Sequence, residues 1–235
     1  MKKRISGLRH AAVAAVIGLA LAPGVSFSAN KNPGNGLNVG QLKAYAAAWW
    51  QWALSTPVAG HPLAFVDPVG SAQHCGGGQH GDVWFLCGLV NASSPANRAC
   101  TIPAGTSIFF PVINAECSTI EGNGTTEGEL RACAKDLIDF VTVVETSVDG
   151  VPIRSLDKSR AQSNLFAFSL PPDDVLGLFG DEPNPSAAVA DGYWVLLSPL
   201  PEGEHTIYFR GVVELPGFTF EQRIAYAVTV VPALR

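Results

Sequence analysis

The fold is decided by residues 218–231, FTFEQRIAYAVTVV, at the end of the chain. The even-numbered residues of this stretch are apolar except Gln222, while most of the odd-numbered ones are polar or small. In an extended chain, successive side chains point to opposite faces, so this alternation places the apolar side chains on one face. The stretch therefore predicts a long β-strand with one face on a hydrophobic core.

Working outward, further segments rich in Val, Ile, Phe, Tyr and Thr are separated by turn residues and predict additional strands. These segments are Val83–Cys87, Ser107–Ile113, Val141–Val148, Asn164–Leu170, Tyr193–Ser198 and His205–Val213. Asp149-Gly150 predicts a hairpin turn, and Pro201–Glu204 predicts a second one. So many strands in one block predict a mainly β fold, an antiparallel β-sandwich or jelly roll.

Two helices are expected beside the strands. Asn38 followed by Gln41 is typical of a helix N-terminus, and the apolar spacing after it predicts a helix over 39–54. Thr126 and Glu129 form a second capping signature, followed by apolar residues at helical spacing. The prediction is thus a sandwich with one N-terminal helix and one inserted helix.

The first 29 residues have the features of an export signal. They carry four basic residues and no acid, followed by an apolar run from Ala11 to Ala22. That run is shorter than the roughly 20 residues of a membrane-spanning helix, so a retained anchor is the less favoured alternative. We predict a signal peptide at 1–29 with cleavage before Asn30, and a single β-rich domain at 30–235. The product is expected to be secreted or periplasmic, without a transmembrane segment.

Charge and composition exclude several functions. The formal net charge is -5, and loss of the four basic residues of the signal would leave -9. Such an acidic protein is a poor partner for nucleic acid, because binding to phosphates needs excess Lys and Arg. With 47% hydrophobic and 15% charged residues, the chain is not expected to be disordered.

The five cysteines predict disulfides in an oxidising compartment. An odd number leaves at least one unpaired, and spacing alone does not decide the pairing. We favour Cys75–Cys100 and Cys117–Cys133, with Cys87 free inside an apolar strand. A bridge between Cys87 and Cys100 is the main alternative.

The segment from His74 to Gly81 is the densest polar cluster. Gly76, Gly78 and Gly81 match the dinucleotide-binding fingerprint in form only, because no strand precedes them and a strand is predicted directly after them. Zinc binding by His74, Cys75, His80 and Cys87 is disfavoured by the absence of a close ligand pair. We predict a glycine-rich loop and neither a metal nor a cofactor.

Common hydrolase motifs are absent from the sequence. The catalytic candidates are His80, Asp82 and Glu116, because loops with His and acidic residues on a rigid sheet are frequent locations of active sites. A separate set of candidates for ligand binding consists of the indoles of Trp49, Trp50 and Trp84. For the helical tryptophans, we favour packing of the helix on a sheet, with ligand stacking as the alternative.

Several motifs resemble a family of uncharacterised exported bacterial proteins. They are WWQWALS at 49–55, GQHGDVWFL at 78–86, CTIPAG at 100–105, FFPVINAEC at 109–117, DGYW at 191–194 and GEHTI at 203–207. The resemblance covers most of residues 40–231 and implies export, but it implies no activity and no catalytic residues. The sequence departs from the family pattern at Cys87, where a small apolar residue is expected, which favours a free thiol there.

Three functional hypotheses follow from the sequence. The first is a secreted, disulfide-stabilised binding or structural module at or outside the cell surface, with a glycan or another surface component as its partner. The second is a secreted hydrolase or lyase that uses His80, Asp82 and Glu116. The third is an exported metal-binding protein that uses the histidines near residue 80 or two acidic loops.

Overall fold

The computed structural model describes residues 38–90 and 94–233; the predicted signal peptide and its cleavage site lie outside these residues. The described strands form two sheets that pack face to face, which confirms the mainly β, sandwich-like prediction. Sheet A has the order β1-β3-β7-β6 and consists of β1 (Val83–Phe85), β3 (Ser107–Ser118), β7 (Ser186–Leu197) and β6 (Phe166–Phe168). Sheet B has the order β2-β9-β8-β4-β5 and consists of β2 (Ser94–Pro103), β9 (Phe218–Val231), β8 (Gly203–Leu215), β4 (Val141–Val148) and β5 (Val151–Pro152).

Strand β9 has the alternation that its sequence predicts. Its even-numbered residues from Phe220 to Val230 are buried, and Gln222 is buried among them at 2% exposure. The Gln222 amide accepts a hydrogen bond from the Leu89 backbone N–H at 3.0 Å and donates one to the Val112 carbonyl. The polar break in the apolar face therefore connects the two sheets, which explains how it is tolerated in the core.

The topology differs from the prediction in three places. Two strand pairs, β1–β3 and β2–β9, are parallel, so the sandwich is mixed rather than wholly antiparallel. Strand β2 was not predicted, because Asn97 and Arg98 interrupt its apolar pattern. The predicted hairpin at Pro201–Glu204 is wrong, since β7 and β8 lie in different sheets and this segment crosses between them. The Asp149-Gly150 hairpin is confirmed, and both residues adopt the positive φ angles that such a turn requires.

Both predicted helices are present and begin with complete capping boxes. Helix α1 (Val39–Ser55) covers the outer face of sheet A, and helix α3 (Glu127–Ile138) packs on the end of β3 and β7. A third helix, α2 (Pro68–His74), lies where a loop was expected. It begins at Asp67, whose carboxylate accepts hydrogen bonds from the first turn, and it covers the outer edge of β2.

Sheet A is buried on both sides, which makes the molecule three layers thick. On β3, Phe109 faces α1 and stacks with Trp194 at 5.5 Å, while Phe110 faces sheet B and stacks with Phe209 at 4.9 Å. This explains why every residue of β3 is buried. Within the described ranges, no helix combines the length and the apolar character needed to cross a membrane.

The disulfide prediction is confirmed. Cys75 is bonded to Cys100, which ties the end of α2 to β2, and Cys117 is bonded to Cys133, which ties β3 to α3. Cys87 is a free thiol that is 1% exposed. Each bridge thus attaches a helix to the strand beneath it.

Candidate functional site

The predicted ligand-stacking tryptophans of α1 are part of the core. Trp49 and Trp50 are both 0% exposed. The Trp49 indole donates to the Leu86 carbonyl at 2.9 Å and lies edge-on to Trp50 and Trp194. Neither ring is available to a ligand, and α1 packs on sheet A, which is the arrangement that we favour from the sequence. Trp84, the third indole, is half-buried against the core between the sheets, and its role in binding stays a prediction.

The candidate catalytic residues do not share a cleft. Asp82 directly precedes β1, whose first residue Val83 pairs with Ser107 at the beginning of β3. Glu116 lies near the opposite end of β3, nine residues after Ser107, which corresponds to roughly 30 Å along a strand. His80 is exposed on the loop before Asp82. The prediction that these three residues converge is wrong. Because Asp82 and Glu116 lie this far apart, the hydrolase hypothesis has no geometric basis.

Glu116 instead is buried beside the half-buried carboxyl group of Glu121. Glu116 is 5% exposed, and burial together with the neighbouring Glu121 raises its pKa well above the usual value. The Ser118 hydroxyl donates to Glu121 at 2.7 Å, while Oε2 of Glu116 and Nδ2 of Asn114 are buried without hydrogen-bond partners. A protonated Glu116 that donates to Glu121 is the arrangement that two touching carboxyl groups favour.

A second buried polar centre surrounds Arg98. Its guanidinium donates to the carbonyls of Phe65, Cys87 and Gly88 at 2.7–2.8 Å and lies over the Tyr226 ring. These hydrogen bonds from Arg98 hold the loop after β1 and the segment before α2 against sheet B. Burial raises the pKa of the nearby Cys87 thiol to about 12 despite the positive charge of Arg98, so Cys87 is a weak nucleophile.

His61 is a buried histidine that no sequence pattern singles out. Its Nε2 bonds the Ala53 carbonyl at the end of α1, and its Nδ1 accepts from the Leu63 backbone N–H at 3.1 Å. Burial lowers the pKa of His61 to about 4, so the ring is neutral and connects α1 to the following turn. His74 stacks on Phe65 at 4.1 Å. Across residues 38–90 and 94–233, no three His, Cys, Asp or Glu side chains come close enough together to hold a metal.

A surface groove lies between the two sheets, beside β4. Its volume is about 390 Å³. It is lined by Val141, Thr142, Val144, Ile153, Ser155, Leu156, Asp157 and Tyr193. These residues come from the edge of β4, from the segment after β5 and from β7 of the opposite sheet. Sequence reasoning missed the groove because its walls are distant in the chain and share no motif.

The walls of the groove are chemically mixed and firmly supported. Aliphatic side chains and the Tyr193 ring provide apolar surface, and the hydroxyls of Thr142 and Ser155 and the Asp157 carboxylate provide polar groups. Arg160, which follows the wall of Leu156 and Asp157, forms ion pairs with Asp191 and with Asp139, both at 2.8 Å. Such a surface suits a ligand with both apolar and hydrogen-bonding groups.

Comparisons with known proteins add no further assignment. No family model matches the chain, and searches of curated proteins and of solved structures give no match. The resemblance to an exported family therefore stays a prediction.

Proposed function

We propose that this protein is a binding module that acts outside the cytoplasm and holds a component of the cell surface in the groove at Tyr193. The groove carries the proposal, because it is a concave surface in which an aromatic ring, aliphatic side chains and hydroxyls converge on a rigid scaffold. Two disulfides in the described domain are compatible with an oxidising compartment and support the extracytoplasmic assignment.

The test is retention of the purified protein on isolated cell envelopes and on immobilised polysaccharides. Tyr193→Ala removes the ring that β7 presents to the groove, and we expect it to lower retention at least tenfold. Tyr208→Ala is the matched control, because Tyr208 is also half-buried in a strand but does not line the groove. Melting temperatures of both variants show whether a loss of retention comes from a loss of folding.

The proposal predicts that Tyr208→Ala binds like the unmodified protein. Equal retention of Tyr193→Ala and the unmodified protein would place the binding surface elsewhere. If the unmodified protein is retained on neither envelopes nor polysaccharides, the proposed function is wrong.

A further inference from the structure

Strand β4 has an open edge where it borders the groove. On one side it pairs with β8 from Val141 to Val148, but on the other side β5 covers only Ser147 and Val148. One further hydrogen bond, from the Ile153 backbone N–H to the Thr146 carbonyl at 3.0 Å, extends this cover. From Glu145 back to Val141, no strand among the described residues occupies this edge.

The register shows which backbone groups face the groove. In an antiparallel ladder, alternate residues direct both N–H and C=O toward the same neighbour. The Thr146 carbonyl bonds Ile153, on the side of β5, so Val144, two residues earlier, directs its N–H and C=O to that side too. The segment that follows β5 bonds β4 as far as Thr146 and no longer pairs with it at Val144. The described residues therefore offer the Val144 backbone no partner, and Val144 lines the groove.

An unpaired donor and acceptor at a strand edge match an extended polypeptide, which presents the same groups at the same spacing. The register of β4 shifts between Val141 and Val143. Such a bulge interrupts a ladder and keeps a long strand of a second molecule from aligning there. The groove volume of about 390 Å³ is also that of a short ligand rather than a whole strand.

The charges at the rim indicate the polarity of such a segment. Arg154 and Lys158 belong to the same segment as the lining residues Ile153 to Asp157 and are exposed, and neither forms an ion pair with another described residue. They are unpaired cations on a chain whose net charge is -5. Asp157 lines the groove itself, so acidic groups of a ligand are favoured beside Arg154 and Lys158 and disfavoured beside Asp157.

We infer that the surface component is polypeptide: the groove takes a short extended segment with acidic residues at its ends, which adds to the edge of β4 through the Val144 N–H and C=O. This inference rests on the proposed function and specifies the ligand. The Tyr193 ring and Leu156 would contact the side chains that point into the groove. The hydroxyl of Thr142 adds a polar contact beside the added strand.

The experiment uses a pool of capped hexapeptides with acidic residues at both ends and randomised aliphatic or aromatic residues between them. A second pool carries N-methyl groups at alternate positions, which remove backbone donors and leave the side chains unchanged. Retention of each pool on the immobilised protein is measured by mass spectrometry. We expect the N-methylated pool to be retained at least tenfold less than the unmodified pool.

Two substitutions test the contribution of the protein. Val144→Pro removes the N–H that faces the groove without removing a ladder bond to β8, so the strand is expected to remain. It should reduce peptide retention tenfold or more. The double change Arg154→Glu and Lys158→Glu should also reduce retention, whereas Lys43→Glu, on helix α1 at the outer face of sheet A, should not. The N-methylated pool keeps the test valid if Val144→Pro fails to fold.

Envelope treatment separates this inference from the proposed function. Protease-treated envelopes should lose binding, and periodate-oxidised envelopes, whose sugars are cleaved, should keep it. Equal retention of the two peptide pools overturns strand addition. Binding that survives protease but not periodate identifies a polysaccharide ligand, which overturns the inference and leaves the proposed function standing. Absence of binding both to untreated envelopes and to immobilised polysaccharides overturns the proposed function itself.

Discussion

Replacing Glu116 with Gln should stabilise the protein at neutral pH, although it removes a polar contact from the core. Glu116 is 5% exposed, and its carboxyl touches Glu121. Burial, and then the neighbouring carboxylate, raises the pKa of Glu116 well above 4.5. An acid that binds its proton more tightly in the folded state favours folding at low pH. That contribution is lost as the pH rises from about 4.5 through the folded pKa.

The size of the effect follows from the buried contacts. A Gln amide has the shape of Glu and donates to Glu121 without having to take up a proton. It therefore removes the free-energy cost of keeping a buried carboxyl protonated at pH 8, which we take as about 1–3 kcal/mol because each tenfold change in proton affinity corresponds to about 1.4 kcal/mol. We expect Glu116→Gln to exceed the unmodified protein in unfolding free energy by this amount at pH 8, and the advantage to vanish toward pH 4.

Urea unfolding at pH 4, 6 and 8, with the disulfides intact, measures the difference. Glu202→Gln is the control, since Glu202 is exposed and should change stability little at any pH. Glu121→Gln should reduce the pH dependence as well, because it removes the like charge beside Glu116. A Glu116→Gln variant that is less stable than the unmodified protein at pH 8 would refute the reasoning. It would mean that Glu116 is ionised there and held by favourable contacts.

Three further predictions concern the core, a disulfide and a histidine. Trp49→Ala should cost about 3–5 kcal/mol of unfolding free energy in urea, because a fully buried indole leaves a cavity; a cost below 1 kcal/mol would show that α1 is not packed as described. Removing the Cys117–Cys133 bridge by double substitution to Ala should cost about 3 kcal/mol, as expected for a sequence separation of 16 residues, and unchanged stability would contradict the bridge. His205 donates to Asp149 and to a backbone carbonyl, and the Asp149 contact raises the pKa of His205 above 6.5. The contribution of the His205–Asp149 pair to the unfolding free energy is thus complete below pH 6.5 and lost as the pH rises through the folded pKa of His205. His205→Asn should flatten the dependence of the unfolding free energy on pH in that range. A variant that keeps the slope of the unmodified protein would argue against the pair.

Local signals predicted most of the elements. Helices α1 and α3 begin where their capping residues indicate, because a cap is satisfied within one turn of chain. Strand β9 was predicted from its alternation, which the geometry of a single strand imposes. Strand β2 was missed because Arg98 occupies a buried position, and its acceptors come from residues up to 33 positions away. Helix α2 was missed in a segment rich in Pro and Gly, where only the Asp67 cap signals a helix.

The candidate site shows a sharper division. The sequence selected residues by their chemical type, and it grouped Asp82 with Glu116 because acidic residues in loops on a rigid sheet are frequent in active sites. The parallel pairing of β1 with β3 places them at opposite ends of a strand, which no local pattern reveals. The groove depends on where β5 ends, on the bulge in β4 and on the position of Tyr193 in the opposite sheet.

The sequence by itself determined the mainly β class, the positions of two helices and most of the strands, and its five cysteines indicated disulfides without deciding their pairing. The helices and strands depend on periodicity and on helix caps, which act over short distances along the chain. Only the tertiary structure decided that Trp49 and Trp50 are core, that Glu116 has a carboxyl neighbour, and that β4 keeps an open edge beside Tyr193. Burial and strand order depend on contacts between distant segments, so the surface available to a partner is determined only when the two sheets pack together.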